Sequence, residues 1–270
     1  MSRNDRHDWP PVLALHGFSG SGEDFEPLRD ALAGEGGGPG IFAAPDLPGH
    51  GDAPVLPDVA PGEEAFVAAG DTILAQAERA GLHRPLLLGY SMGGRMALHL
   101  ALRAPQRFRA LVLVGATPGI ADPAAREARE DEDRQRAAAL VADGIQAFAD
   151  RWEQHPMIAS QDRIAEPWRS AMRARRRRQD PRGLAWSLAA LGTGVMPPLW
   201  DRLAGLTIPV LLLTGEEDAK FTAIAEQMAC LLPAATHGVL PGAGHCAHLE
   251  QPARAAAALR EFVGQLNRKI

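Results

Sequence analysis

The stretch Leu86 to Gly94 reads LLLGYSMGG and places a serine between two regular segments. The run Leu86–Leu88 predicts a buried strand, and the segment that follows has the apolar spacing of a helix. The order Gly89-x-Ser91-x-Gly93 between them predicts a sharp turn, because larger side chains two positions either side of Ser91 would collide with neighbouring strands or with the helix. This pattern indicates a nucleophile elbow, which exposes the serine hydroxyl at the carboxyl end of a sheet.

The rest of the chain repeats the alternation of strand and helix. Apolar runs bounded by glycine, proline or acidic residues predict buried parallel strands at Val12–Leu15, Ile41–Ala44, Leu86–Leu88, Ala110–Val114, Val210–Leu213 and Gly238–Leu240. Helical spacing predicts helices at Glu64–Ala80, Gly93–Arg103 and Ile224–Leu232. The predicted fold class is α/β, with a mostly parallel sheet of about six strands flanked by helices.

The alternation is interrupted once, between Thr117 and Leu206, where no strand is evident and alanine, arginine, glutamate and glutamine are frequent. We predict a helical cap insertion over residues 118–206, within a core formed by residues 1–117 and 207–270. Its expected parts are a helix over Pro123–Val141, a segment at Ile145–Trp152 and arginine-rich helices over Glu166–Leu191.

Composition excludes several other classes. The chain of 270 residues is 46% hydrophobic and 23% charged, which is typical of a globular protein, and no apolar run approaches the roughly 20 residues of a membrane span. A net charge of −5 argues against a general nucleic-acid binder. Two cysteines without a repeated spacing indicate neither a disulfide framework nor a cysteine zinc site. The run Val12–Leu15 is too short for a secretion signal, so we expect a cytoplasmic protein.

A serine needs a histidine to accept its proton, and the histidine needs an acid to orient it. Asp218 and His245 each follow a predicted strand, and with Ser91 they have the chain order Ser, Asp, His of this architecture. Glu216 and Glu217 compete with Asp218 for the acid role on position alone. The alternative is that His245 is a loop histidine without a role, but the serine, the acid and the histidine each follow a predicted strand in the expected order.

The turn that carries Ser91 also predicts an oxyanion site, and the histidines near the chain's end do not predict a metal site. The donors of the oxyanion site are expected to be the backbone amides of Met92, after the serine, and of Phe18, in the turn after the first strand. The pair His245-x-x-His248 lacks a third ligand, so no metal site is expected.

Arginines near the predicted serine indicate an anionic ligand. Arg95 lies one helical turn after Ser91, where a cation opposes the helix dipole at a cost of about 0.3 to 1 kcal/mol, which implies a compensating anion or a surface salt bridge. The insertion adds Arg126, Arg129, Arg134, Arg136, Arg173 and Arg175–Arg178. We expect much of this set to form ion pairs with nearby acids. Of the group Arg173 and Arg175–Arg178, only Arg173 and Arg177 share a helix face. A part of the set suits a substrate with several carboxylates.

Seven segments carry a resemblance to a known family: LHGFSGSGEDF from Leu15, DLPGHG from Asp46, GYSMGGRMAL from Gly89, TPGI from Thr117 followed by AREAREDEDRQR, RWEQHPMIAS from Arg151, GEEDAKF from Gly215 and GAGHCAHLEQP from Gly242. Over nearly its whole length the chain resembles the α/β-hydrolase superfamily and, within it, the pyruvate-eliminating lyases of menaquinone biosynthesis. Cys246 departs from the pattern, since relatives commonly have asparagine there.

The resemblance implies a lyase without metal or organic cofactor, acting on a small polycarboxylate. A proton leaves the ring carbon beside a succinyl ketone, electrons shift through the ring double bond, and pyruvate departs. Ser91, activated by His245, would be the base, and the resemblance favours Asp218 as the acid that orients His245. The resemblance assigns substrate carboxylates to Arg95, Arg129 and Arg173, and the pocket wall to Tyr90 and Trp152, with Phe221 at its border.

Two other functions stay open at this stage. A capped serine hydrolase of esters, thioesters or carbon–carbon bonds would use the same three residues covalently. A non-catalytic receptor for small acids would keep the elbow only as architecture. The sequence alone does not separate proton abstraction from acyl transfer, and it leaves the oligomeric state open.

Overall fold

A parallel sheet of six strands forms the centre of the protein in a computed structural model that describes residues 9–34 and 37–268. The strands are β1 (Val12–Leu15), β2 (Phe42–Ala43), β3 (Leu86–Tyr90), β4 (Ala110–Val114), β5 (Val210–Gly215) and β6 (Ala235–Leu240). Their order across the sheet is β2-β1-β3-β4-β5-β6, and every pairing is parallel. The predicted fold class is confirmed.

The central strands match the prediction more closely than the edge strands. β1 and β4 have the predicted bounds, while β3 continues to Tyr90, directly before Ser91. At one edge β2 has only two residues, and Ile41 is 46% exposed. At the other edge β6 begins at Ala235, three residues before the predicted start.

Helices cover both faces of the sheet. They are α1 (Glu26–Gly34), α2 (Glu63–Arg79), α3 (Met92–Arg103), α7 (Ala219–Leu231), α8 (Ala247–Glu250) and α9 (Pro252–Arg268), with α4 to α6 described below. Alternate strand residues point to opposite faces. Leu13 and Leu87 therefore pack in the core layer that contains α2, α3 and α7, whereas Val12 and Leu86 pack in the layer that contains α1 and α9.

The chain between β4 and β5 is mostly helical. Its elements are α4 (Pro123–Glu153), α5 (Trp168–Arg176) and α6 (Pro181–Leu191), and a 3-10 segment, Pro156–Arg163, precedes α5. α4 consists of two helices that meet at a kink at Gly144, whose φ of 80° and ψ of 174° are not helical, so the separate pieces expected at Pro123–Val141 and Ile145–Trp152 are present. α4 and α6 pack through a separate apolar cluster. The division into a core and a separate cap domain stays a prediction.

Two expectations from the sequence concern a secretion signal and membrane-spanning helices. The expectation about a secretion signal rests on the run Val12–Leu15, which is the buried strand β1, and on residues 1–8, which lie outside the described residues. None of the described helices has both the length and the apolar character needed to cross a bilayer.

Candidate active site

Ser91 occupies the strained turn between β3 and α3, with a φ of 51°. A Cβ on Gly89 would lie 2.5 Å from the Gly93 carbonyl oxygen, and a Cβ on Gly93 would lie 2.1 Å from the Leu15 carbonyl oxygen. Both distances are too short for any side chain, so the glycines are required for the reason that the sequence predicts. The turn places the Ser91 hydroxyl at the carboxyl end of the sheet.

The structure brings Ser91, His245 and Asp218 together. The Ser91 Oγ lies 3.1 Å from His245 Nε2, and His245 Nδ1 lies 2.6 Å from Asp218 Oδ2. With the imidazole proton on Nδ1, the Ser91 hydroxyl donates to His245 and His245 donates to Asp218. The imidazole is buried, and the Phe221 ring packs 4.4 Å from it, centroid to centroid. This geometry suits the transfer of a proton from the serine to the histidine.

The two competing acids have other partners. The Glu216 carboxylate accepts a hydrogen bond from the Gly242 amide at 2.9 Å. The Glu217 carboxylate forms an ion pair with Arg163 of the insertion. Among these three acids, Asp218 is therefore the one bonded to His245.

A cleft of about 1000 Å³, part of it open to solvent, lies over Ser91. Seven of the residues predicted around the triad line it: Phe18, Tyr90, Met92, Arg95, Arg129, Trp152 and Phe221. Phe18 and Met92 thus lie at the same cavity as the serine, and the oxyanion role of their amides stays a prediction.

Two buried histidines fix the loop that carries Phe18. The Ser19 amide donates to His50 Nε2 at 3.2 Å, and the Leu47 amide donates to His16 Nε2 at 3.0 Å. Burial lowers the pKa of His50 to about 3, so its imidazole is neutral and can accept. His50 and His16 therefore hold the turn after β1 in place beside Ser91.

Arg95 is a buried cation on the wall of the cleft. Its Nη1 donates to the Leu191 carbonyl oxygen at 2.7 Å, and its residue exposure is 6%. Burial, and next the charge of Arg129, lower the pKa of Arg95 to about 10, which leaves it charged at neutral pH. Within the described part of the chain no carboxylate forms an ion pair with it, so the surface salt bridge is not its role. Its charge is available to an anionic ligand.

Arg129 and Arg136 share one buried carboxylate. Arg129 Nε and Arg136 Nη1 donate to the same oxygen of Asp133, at 2.9 and 3.1 Å. The Arg136 guanidinium carbon also lies 5.5 Å from the centroid of a Trp152 ring. Two guanidinium groups on one carboxylate leave a surplus positive charge at the cleft.

The expected substrate contact of Arg173 requires a correction. The Arg173 guanidinium forms ion pairs with Asp162 and Glu153, and the residue does not line the cleft. Arg176, almost one turn further along α5, lines the cleft instead and is buried. Its Nη2 donates to Gln161 at 3.0 Å, its Nη1 lies 3.5 Å from Glu153 Oε1 in an ion pair, and its Nε has no hydrogen-bond partner in the described residues. The physical reason is the rotation of α5, which turns Arg176 inward and Arg173 outward.

The outward arginines of this run anchor α5. Arg175 binds Asp24 in the segment after β1, and Arg177 binds Glu153 and Asp150 of α4. Sequence reasoning missed Arg176 and Arg136 as residues of the cleft. The charge run indicates that some arginine faces a pocket, and the contacts of α5 decide which one.

Cys246 and His248 complete the wall beside Tyr90. The Cys246 thiol is buried, and burial raises its pKa, which keeps it protonated. The described residues contain no cluster of three or more His, Cys, Asp or Glu side chains that could hold a metal ion.

A serine on a strand-to-helix turn, followed in the chain by its acid and then its histidine, is the arrangement of α/β hydrolases. The model of the alpha/beta hydrolase family matches residues 12–258, and the chain belongs to this family.

Within the family, the chain is similar to one kind of enzyme in particular. It is 38% identical to a Bacillus subtilis protein whose provisional name is 2-succinyl-6-hydroxy-2,4-cyclohexadiene-1-carboxylate synthase, over 93% of this chain and 89% of the relative. It is 34% identical to the synthase of that name from Klebsiella pneumoniae strain 342, over 96% of each chain. The solved structure of MenH from S. aureus superposes with a TM-score of 0.86, at 29% identity and 96% coverage of both chains.

Proposed function

We propose that the protein eliminates pyruvate from 2-succinyl-5-enolpyruvyl-6-hydroxy-3-cyclohexene-1-carboxylate and so forms 2-succinyl-6-hydroxy-2,4-cyclohexadiene-1-carboxylate. The observation that carries this proposal is the buried charge of Arg95, which lines the same cleft as Ser91 and His245 of the triad and forms no ion pair with a carboxylate of the described residues. Two relatives that carry the name of this synthase match the chain over most of its length.

The triad supplies the base for this elimination. His245 accepts the Ser91 hydroxyl proton, and the serine oxygen removes the proton from the ring carbon beside the succinyl ketone. The electron pair forms a new ring double bond, the existing double bond shifts by one position, and the carbon–oxygen bond to the enolpyruvyl group breaks. The released enolate takes a proton and becomes pyruvate. Water is neither consumed nor formed.

Negative charge develops on the succinyl ketone oxygen as the proton leaves. The Phe18 and Met92 amides are the proposed donors to this oxygen, since both residues line the cleft beside Ser91. Stabilisation of charge that is present only in the transition state raises the rate of the chemical step rather than the affinity for substrate.

The substrate carries three carboxylates, and the cleft offers guanidinium groups to hold them. Arg95, Arg129 and Arg176 are the proposed partners, because each lines the cleft. Arginine binds a carboxylate through two parallel hydrogen bonds, which fixes its orientation as well as its position. Tyr90, Trp152 and Phe221 provide the apolar wall for the ring.

A serine hydrolase is the second candidate. The hydrogen bond of 3.1 Å between Ser91 and His245 also suits attack of the serine on an ester or thioester carbonyl. The two functions differ in their products, because hydrolysis consumes water and passes through a covalent acyl-serine.

One experiment separates the candidates. Wild type and the Ser91→Ala, His245→Ala and Ser170→Ala variants are incubated with the enolpyruvyl substrate while pyruvate is assayed, and separately with p-nitrophenyl acetate while burst amplitude is measured. We expect pyruvate from wild type and from Ser170→Ala, whose serine is exposed on α5, and none from the other two. Undiminished pyruvate release by Ser91→Ala would refute the mechanism. A stoichiometric burst without pyruvate release would favour the hydrolase.

The cytoplasmic location expected from the sequence is part of the same proposal. Both cysteines, Cys230 and Cys246, are free thiols, which suits a reducing compartment.

A further inference from the structure

Glu250 lies five residues after His245, at the end of α8, and is buried with 7% exposure. Its Oε2 accepts a hydrogen bond from the Gly244 amide at 2.8 Å. Its Oε1 accepts from the Cys246 amide at 3.1 Å and from the Ser160 hydroxyl at 2.8 Å. One carboxylate therefore binds the backbone amides on both sides of His245, and also a side chain of the insertion.

Backbone hydrogen bonds beside His245 use carbonyl groups, since Ala243 accepts from the Glu217 amide and Cys246 accepts from the Leu249 and Glu250 amides. His245 sits in the loop between β6 and α8, where no strand pairing fixes its amides. Phe221 and Tyr90 pack on the imidazole, at centroid distances of 4.4 and 5.5 Å. Among the described residues, Glu250 is the partner of the two amides that flank His245, so it contributes to the position of the histidine Cα.

The loop has no room to move at Gly244. A Cβ there would lie 2.2 Å from the Ser160 Oγ, and a Cβ on Gly215 would lie 2.1 Å from the Gly244 carbonyl oxygen. Ser160, Gly244 and Glu250 thus form a tightly packed unit that joins the segment Pro156–Arg163 to the histidine loop.

We propose that Glu250 is a positioning residue for His245, and that Ser160 extends this support from the insertion to the histidine loop. Glu250 does not line the cleft, and both of its carboxylate oxygens are occupied by donors of the protein. It acts through the backbone of His245, which it holds where the imidazole reaches both Ser91 and Asp218. This inference depends on the triad geometry and not on the identity of the substrate.

The test is the rate at which Ser91 reacts with a fluorophosphonate probe, expressed per titrated active site in the full-length protein. This rate depends on the alignment of His245 with Ser91 and does not require the enolpyruvyl substrate. We expect Glu250→Gln to slow the reaction about tenfold, the effect of losing one hydrogen bond to a charged group, and Glu250→Ala to slow it further. Ser160→Ala, which keeps both backbone bonds, should fall between wild type and Glu250→Gln.

Glu261→Gln is the matched control, because Glu261 is exposed on α9. We expect it to react at the wild-type rate. With the natural substrate, Glu250→Gln should lower kcat and leave KM within about twofold, since the missing alignment affects the chemical step and not the binding step.

Two outcomes overturn the inference. A wild-type rate per active site in Glu250→Gln, whatever its melting temperature, would show that the residue supports the fold only. If Glu250→Gln does not fold, Ser160→Ala decides, and a wild-type rate in that variant contradicts the proposal. A wild type that reacts with the probe and releases no pyruvate would refute the proposed lyase function and leave the role of Glu250 standing.

Discussion

Arg175 of α5 binds Asp24, in the segment after β1, with two nitrogens on a single oxygen. Its Nε and Nη2 donate to Asp24 Oδ1 at 3.0 and 2.7 Å, and the two side chains are 11% and 10% exposed. The next residue along α5 is Arg176, which lines the cleft. This contact therefore sets the position of a cleft arginine relative to the loop that carries Phe18.

Replacing Arg175 with alanine should weaken substrate binding. Without the ion pair, α5 loses its attachment to the loop after β1, and the Arg176 guanidinium shifts from the substrate carboxylate. We expect KM for the enolpyruvyl substrate to rise about tenfold with a smaller change in kcat, as expected for the loss of one charged hydrogen bond. Steady-state pyruvate release measures both constants. Arg134→Ala is the control, because Arg134 is exposed and pairs with its neighbours Glu130 and Asp131 on the same helix.

Arg176 and Arg173 offer a direct comparison between two arginines of one helix. Arg176→Ala should lower kcat/KM about 10- to 100-fold, because a buried guanidinium would no longer meet a substrate carboxylate. Arg173→Ala should change it less than about twofold, since Arg173 forms exposed ion pairs. Arg176→Lys should restore only part of the activity, because lysine lacks the two-pronged geometry. A larger loss in Arg173→Ala than in Arg176→Ala would contradict the corrected assignment.

The triad could be predicted because its information is local. Ser91 directly follows β3, Asp218 and His245 lie within five residues of the ends of β5 and β6, and parallel strands bring their carboxyl ends to one edge of the sheet. Which of the arginines faces the cleft could not be predicted from the local sequence. Spacing shows that Arg173 and Arg177 share a face of a helix, but the rotation of that helix depends on contacts that are distant in sequence, such as Arg175 with Asp24.

Edge strands and the kinked helix show the same limit. β6 starts earlier than its apolar run because Thr236 and His237 belong to an edge strand that is partly exposed, so hydrophobicity does not mark it. β2 is shorter than its apolar run, since Ile41 does not pair in the sheet. At Gly144 the spacing predicts the break between the two helices of α4, but it does not predict that both of them pack against α6 in one apolar cluster.

Buried neutral histidines should make the protein less stable in mild acid. Burial lowers the pKa of His50 and of His248 to about 3, below the ordinary value of 6.5. Between these values the unfolded chain binds protons that the folded protein does not. The free energy of unfolding is therefore highest above pH 6.5 and falls as the pH decreases toward 3, by about 1.4 kcal/mol per pH unit for each such histidine.

The His248→Phe variant measures how much one of these histidines contributes to the pH dependence of stability. The His248 ring packs on Tyr90 and Phe25, and its Nδ1 has no hydrogen-bond partner in the part of the chain that the structure describes, so phenylalanine retains the ring packing without losing a bond at that nitrogen. Urea unfolding between pH 4.5 and 6 should show a slope of stability against pH that is smaller than wild type by about one proton. Equal slopes in the two proteins would show that His248 is protonated in the folded state.

Within residues 9–34 and 37–268, Asp133 is the acidic partner that Arg129 and Arg136 share in their ion pairs. Asp133→Asn keeps the size of the side chain and removes its charge. Since the carboxylate is buried and accepts from both guanidinium groups, we expect the free energy of unfolding to fall by about 1 to 3 kcal/mol.

The same variant should raise KM more than it lowers kcat, because both guanidinium groups lose the anchor that directs them into the cleft. Urea unfolding and steady-state pyruvate release test the two effects. Glu130→Gln is the control, since Glu130 is exposed on the same helix and binds Arg134 instead. An unchanged KM in Asp133→Asn, in a protein destabilised as expected, would show that Arg129 and Arg136 keep their positions through other contacts, of which the packing of Arg136 on Trp152 is the nearest.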